Sequence, residues 1–211
     1  MGRQILIKGA LLVSLLLNCR FSIVNAQTPK ELLDEVVQRT FANGHVEAAF
    51  TVYMDGAETQ GNIVVQGRKF VLRTAGLTTW FDGKTQWTLA EENEEVSISE
   101  PTDEELQSLN PYAWMSLYQQ GYELKWGDTG VPGVRKVIMT TTVPRDEMQS
   151  IVLLIHQTEL YPVRLSMAGR GGLDVVVIDI DSYKVNQQPL PDEAFVFDKS
   201  KYPGIEVIDL R

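Results

Sequence analysis

Reactive and metal-binding side chains are scarce in this sequence of 211 residues. It contains one cysteine, Cys19, and two histidines, His45 and His156. A single cysteine excludes a disulfide within the chain, and so few soft ligands exclude a structural zinc site. The sequence also lacks a Gly-x-Ser-x-Gly elbow, a His-x-x-x-His pair, a calcium loop and a glycine-rich phosphate loop. We therefore predict a protein that is not an enzyme and binds no cofactor.

The sequence also contains fewer basic than acidic residues. Lysine and arginine number 19 against 28 acidic residues, which gives a formal net charge of −9. Binding to nucleic acid depends on clustered lysine and arginine. This balance argues against a nucleic-acid partner.

Long apolar runs are absent except near the start of the chain. Arg3 and Lys8 precede an apolar stretch at residues 9–17, and Ala26 ends a short segment that is suited to cleavage by a signal peptidase. This order is typical of a secretory signal peptide, and the stretch is shorter than the roughly 20 residues that span a bilayer. We predict a signal peptide at residues 1–26 and one exported domain at residues 27–211. Lipidation at Cys19 is the less favoured alternative, because Asn18 stands where lipoprotein signals carry a small residue.

The exported part begins with a helical pattern and continues with strand patterns. Thr28 to Glu31 form a capping box with Pro29 at the first helical position, and Gly44 ends the pattern. Period-two alternation then predicts strands, with a turn at Asp82-Gly83. The predicted strands cover residues 45–54, 61–66, 69–74, 78–81, 85–89, 96–99, 122–126, 134–143, 150–157, 163–168 and 174–185, with extended pieces at 195–197 and 205–210. The pattern favours an α+β, mainly β domain built on a large curved antiparallel sheet or barrel.

A helical segment interrupts the strands at about residues 102–121. A second capping box joins Thr102 to Glu105, and the segment is rich in bulky apolar side chains: Tyr112, Trp114, Met115, Leu117 and Tyr118. Two interpretations stay open. The segment is either part of a solid core or a lid over a cavity for an apolar ligand, for which methionine and aromatic side chains are well suited.

Asp179 and Asp181 are the strongest candidates for catalytic carboxylates. They lie two residues apart on a strand, so their side chains share one face. Ile178 and Ile180 would then point to the core, which favours a solvated outer face over the paired carboxylates of a glycosidase. The two histidines fall within strand patterns and are predicted to be structural.

Residues 80–87 (Trp-Phe-Asp-Gly-Lys-Thr-Gln-Trp) resemble a hairpin of the periplasmic lipoprotein-carrier family, the LolA-like proteins. The order of elements agrees, as does the ending at residues 192–197 (Asp-Glu-Ala-Phe-Val-Phe). The resemblance implies an unclosed antiparallel β-barrel (half-barrel), with short helices forming a lid over an apolar cavity. It also implies a monomeric periplasmic carrier that takes acylated lipoproteins from an inner-membrane release transporter to an outer-membrane acceptor. A lipid-binding or lipoprotein-sensing module of the same fold is the alternative.

The resemblance also implies which side chains bind acyl chains, although the strand faces have to be assumed, because a shift of one residue exchanges them. The predicted cavity residues are Phe50, Val52, Ile63, Val65, Phe70, Leu72, Trp87, Leu89, Met115 and Tyr118. Family members hold the lid shut with an arginine before a proline. Here residues 66–69 read Gln-Gly-Arg-Lys without that proline, so Arg68 is the candidate latch.

Overall fold

The structure is a computed structural model that describes residues 27–41, 44–102, 105–106, 118–119, 121–143, 148–169 and 175–211. The described part contains one long helix and one large sheet. Helix α1 (Pro29–Phe41) is followed by twelve strands. These are β1 (His45–Met54), β2 (Ala57–Gln66), β3 (Lys69–Thr74), β4 (Leu77–Phe81), β5 (Gln86–Ala90), β6 (Glu95–Ser99), β7 (Tyr122–Gly127), β8 (Val134–Thr141), β9 (Met148–His156), β10 (Pro162–Gly169), β11 (Val175–Asn186) and β12 (Glu206–Asp209).

The capping box predicted at the start of α1 is confirmed. The Thr28 backbone N–H donates to the Glu31 carboxylate (2.7 Å), and the Glu31 N–H donates to the Thr28 hydroxyl (3.2 Å). These bonds satisfy N–H groups that have no partner inside the helix. Gly44 has a φ of +107°, and a Cβ there would lie 1.9 Å from the Asn186 carbonyl oxygen. Only glycine fits this position after the helix.

The twelve strands form a single sheet in the order β12-β6-β5-β4-β3-β2-β1-β11-β10-β9-β8-β7. Neighbouring strands are antiparallel except β12, which pairs with β6 in parallel. A β-bulge in the β1–β11 pair shifts the register between Ala49 and Phe50. In the described residues β7 does not pair with β12, so the sheet is unclosed.

Helix α1 packs on one face of this sheet, which we call the inner face. The helix contacts both the central strand β1 and the edge strand β7. These strands are five steps apart in the sheet. The helix therefore lies across the part of the sheet that runs from β1 to β7. Leu32, Leu33 and Val36 of α1 are buried against the inner-face side chains.

The opposite, outer face of β3–β6 is covered by the end of the chain. Short 3₁₀ turns at Asp192–Phe195 and Lys199–Lys201 place Phe195, Phe197 and Tyr202 on this face. Polar contacts fix the same segment: the Gln66 amide exchanges two hydrogen bonds with the Leu190 backbone (2.7 and 3.1 Å), and Lys69 donates to Asp192 (2.6 Å). The C-terminal segment is thus an integral layer of the fold.

The mainly β, unclosed sheet expected from the sequence is confirmed, and most strand limits agree within one or two residues. Residues 57–60 extend β2 beyond its prediction. In the extended piece predicted at 195–197, Phe195 instead ends a 3₁₀ turn, whereas Val196 has an extended backbone. The signal peptide and residues 107–117 of the helical segment lie outside the described residues, and the lid and its cavity stay predictions. No helix in the described part of the chain is both long and apolar enough to cross a membrane.

Candidate functional site

The inner face is the largest apolar surface that the described strands build together. Its register aligns side chains in rows across the sheet, because partners in adjacent antiparallel strands point to the same side. One row runs from Val52 through Ile178, Leu165 and Leu153 to Val137. Together with α1, these rows form one continuous cluster of aliphatic and aromatic side chains.

Phe50 shows how closely the inner face is packed against the backbone. Its partner in β2 is Gly61, and a Cβ on Gly61 would lie 2.5 Å from the Phe50 ring. A glycine within a strand often marks such a close approach. The phenyl ring therefore lies directly over the β2 backbone.

Within β1–β4, burial on the inner face changes from one end of the strands to the other. The lower end, where the β2–β3 and β4–β5 turns lie, carries fully buried residues such as Val46, Phe70 and Phe81. The upper end, where the β1–β2 and β3–β4 turns lie, carries half-buried apolar residues and Leu77, whose exposure is 45%. Val52 of β1 is half-buried at this end, and so are Leu124, Met167 and Val176, although Met139 and Ile151 between them are fully buried. An apolar ligand would find its accessible contacts at the upper end.

Tyr118 connects the predicted lid segment to α1. Its side chain is buried on the inner-face cluster, and its hydroxyl donates to the Asp34 carboxylate at 2.6 Å. Lys30 donates to the same carboxylate at 2.8 Å. The Lys30 hydrogen bond, followed by that of Tyr118, lowers the pKa of Asp34 below its ordinary value. Burial, followed by the hydrogen bond to Asp34, raises the pKa of Tyr118.

Six of the predicted cavity residues lie together on the inner face, and a seventh, Tyr118, packs against them. The six are Phe50, Val52, Ile63, Val65, Phe70 and Leu72. Met115 lies outside the described residues. Arg68 lies exposed in the β2–β3 turn at the lower end, and its role as a latch stays a prediction.

The placement of Trp87 and Leu89 on the same face was wrong. Both belong to the outer cluster with Trp80 and Phe195. The β4–β5 hairpin sets this register: Asp82 Oδ1 accepts hydrogen bonds from the backbone N–H groups of Lys84 and Thr85 (2.9 and 2.8 Å), and Trp87 pairs with Trp80. Because alternate residues face opposite sides, Gln86 and Thr88 then point to the inner face.

A strip of polar side chains on the inner face was missed by the sequence reasoning. It comprises Thr79, Gln86, Thr88, Ser97 and Ser99, which face the same side through the β4–β5 and β5–β6 registers. We call it the polar strip. The Gln86 Nε2 donates to the Thr88 hydroxyl at 3.2 Å, and the Thr79 and Thr88 hydroxyls lie 3.4 Å apart. The signal in the sequence was the alternation of Gln86 and Thr88 with Trp87 and Leu89.

Asp179 and Asp181 lie on the outer side of β11, opposite Ile178. Asp179 forms a two-pronged ion pair with the Arg164 guanidinium, and Asp181 accepts a hydrogen bond from the Thr51 hydroxyl (2.8 Å). Asp181 also lines an open depression of about 530 Å³ beside the β-bulge. Each carboxylate thus has its own partner on a neighbouring strand, as expected for structural groups.

Both histidines make structural contacts. His45 is buried, and its ring nitrogens lie 2.9 Å from the Gln188 carbonyl and 3.0 Å from the Glu47 carboxylate. His156 accepts a hydrogen bond from the Glu159 backbone N–H (3.0 Å) and stacks on Tyr161. Within the described residues, no cluster of three or more His, Cys, Asp and Glu residues has a geometry that suits a metal ion.

Sequence comparison identifies the family. The family model for the outer membrane lipoprotein carrier protein LolA matches residues 22–171, which is more than half of the chain. The chain belongs to this family. A search of the curated proteins gives no match.

Several solved structures are similar to this chain at low sequence identity, and the first of them shows the same fold. An uncharacterized conserved protein from Thermus thermophilus is similar with a TM-score of 0.59 and 13% identity, over 85% of this chain and 98% of that one. A LolA superfamily protein from Nitrosomonas europaea has a TM-score of 0.42 and 14% identity, over 82% and 99%. MucB in its complex with MucA from Pseudomonas aeruginosa has a TM-score of 0.44 and 13% identity, over 80% and 61%.

Proposed function

We propose that this protein is a periplasmic carrier that binds the acyl chains of lipoproteins on the inner face of its sheet and delivers them to the outer membrane. Its partners would be an inner-membrane release transporter and an outer-membrane acceptor. Membership of the LolA family supports the carrier role. The observation that carries the proposal is the inner face of β1–β4, where the half-buried Val52 and the exposed Leu77 at the upper end are continuous with a buried apolar cluster below.

The energetics of the task fit such a surface. An acyl chain loses about 0.8 kcal/mol for each methylene group that is exposed to water. Sheltering ten methylenes is therefore worth about 8 kcal/mol per chain. Apolar contact alone supplies this energy, so a carrier needs no catalytic group.

A binding assay with an acylated lipopeptide and the same peptide without acyl chains tests the proposal. We expect the acylated form to bind at least 100-fold more tightly, since the chains supply the apolar contact. Leu77→Glu should weaken this binding about tenfold or more, because the charge would have to be desolvated against the chain. Fluorescence anisotropy with the chain purified from periplasm gives both dissociation constants.

Val131→Glu is the matched control, because Val131 is an aliphatic residue of similar exposure (52%) in the β7–β8 loop, away from the inner face. It should leave the affinity within twofold of the original. Equal binding of both peptides would contradict the carrier proposal and favour a module that senses the protein part of a lipoprotein. If both variants weakened binding equally, the acyl chains would not bind specifically at the inner face.

A further inference from the structure

Gln86 is a buried polar residue in an unusual position. It lies at the start of β5, where it pairs with Phe81 of β4 and Ser99 of β6. Its exposure is 9%, and Phe81 and Phe70 beside it on the inner face are almost fully buried. The side chain therefore lies at the inner, lower end of the sheet, where the apolar cluster meets the polar strip.

One atom of this side chain has no hydrogen-bond partner among the residues that the structure describes. The Gln86 Nε2 donates to the Thr88 hydroxyl, but Oε1 is buried and accepts no bond. Exchanging the two amide atoms would satisfy Oε1 through Thr88 and leave Nε2 unpaired, so either orientation leaves one polar atom alone. Buried polar atoms in native proteins are nearly always paired, and an exception needs an explanation.

The surroundings of the unpaired atom indicate what could pair with it. Thr79 and Thr88 place two hydroxyl groups beside the Gln86 amide, and Ser97 and Ser99 extend the polar strip along β6. Leu72 and Phe70 continue the same face as an apolar surface. A ligand that has hydrocarbon chains joined to a polar linkage matches this change from apolar to polar along one face.

We infer that the polar strip binds the polar linkage of an acylated ligand, with Gln86 Oε1 accepting a hydrogen bond from a donor next to the acyl chain. The donor is an amide N–H, as in an N-acylated amino terminus, or a glycerol hydroxyl. The acyl chain then lies on the apolar part of the inner face. This inference rests on the proposed function, and it assigns to Gln86 a role in ligand selection.

Three lipids with the same acyl chain test the inference: an N-methyl amide, which has one N–H donor, a methyl ester, which has none, and a monoacylglycerol, which has hydroxyl donors. The measured quantity is the ratio of donor-lipid to ester affinity in the original protein and in Gln86→Leu. Comparing this ratio between the two proteins cancels the differences in solvation of the free lipids, because the same lipids are used with both. We expect Gln86→Leu to lower one or both ratios by about five- to tenfold, with ester affinity unchanged.

The ratio that falls, amide to ester or monoacylglycerol to ester, identifies which hydrogen-bond donor is recognised. Thr78→Val is the control, since Thr78 is a buried threonine of the same hairpin that faces the outer side, and it should leave both ratios unchanged. Gln86→Leu should also melt at the same temperature as the original or higher, because it removes an unpaired buried atom.

Equal ratios in the original protein and in Gln86→Leu would overturn the inference and leave a bound water as the partner of Oε1. A clear fall in melting temperature for Gln86→Leu would also overturn it, because the amide would then stabilise the fold. Failure of all three lipids to bind the original protein would contradict the proposed function itself, which is a distinguishable result.

Discussion

The two faces of strands β3–β6 differ in what covers them. On the outer face, Trp80 packs edge-on against Phe197 (ring centroids 5.6 Å apart), and Phe197 stacks on Tyr202 (5.2 Å). The chain's own C-terminal segment therefore seals this side. On the inner face, Leu72 is half-buried and Leu77 is 45% exposed. An apolar face that the chain seals itself contributes to stability, whereas a face left partly uncovered is available to a ligand.

The largest expected effect concerns the sealed face. Phe195 is fully buried in the outer cluster, so Phe195→Ala should lower the free energy of unfolding by about 3–5 kcal/mol. Urea denaturation measures this loss. Leu210→Ala is the control, because Leu210 is 66% exposed and its truncation should cost less than about 0.5 kcal/mol. A loss below about 1 kcal/mol for Phe195→Ala would show that the C-terminal segment does not seal the outer face.

A smaller effect concerns the contact between Tyr118 and α1. Asp34 has a lowered pKa, so its stabilising effect is present above the ordinary value of 3.8 and is lost as the pH falls through the lower folded value. Tyr118→Phe removes one donor and should raise the pKa of Asp34 toward 3.8. Since the carboxylate is partly exposed, the stability cost at neutral pH should be about 1 kcal/mol or less.

A carboxyl-carbon NMR titration of Asp34 measures this shift directly. Lys30 keeps its bond to Asp34 in the Tyr118→Phe variant, so part of the lowering should remain. An unchanged pKa would mean that Tyr118 does not hold the segment before β7 against the helix.

Local signals in the sequence predicted most of the elements. The capping box at Thr28, the turn at Asp82 and the alternation of β1 depend on neighbouring residues, so they are readable without the fold. The parallel pairing of β12 with β6 joins segments about 110 residues apart in the chain. It depends on how the C-terminal segment crosses the outer face, which no local pattern contains.

The candidate site was only partly predictable for a related reason. The residues predicted in β1–β3 share one face of the sheet because one side of these strands is more apolar. In β5 the apolar residues Trp87 and Leu89 face the outer cluster, and the polar residues face inward. Reasoning from hydrophobic alternation assumes a single core, and it fails where the chain covers the second face itself.

A photoreactive group at the end of a lipopeptide acyl chain provides the most direct measurement of the central claim, that acyl chains bind on the inner face. After irradiation, mass spectrometry of the protein's peptides identifies the labelled residues. We predict labelling at the upper end of the inner face, at Val52, Leu77 and Val176. Labelling confined to Trp87, Leu89 or Phe197 on the outer face would contradict this claim. Labelling that an excess of free lipopeptide fails to reduce would contradict it as well.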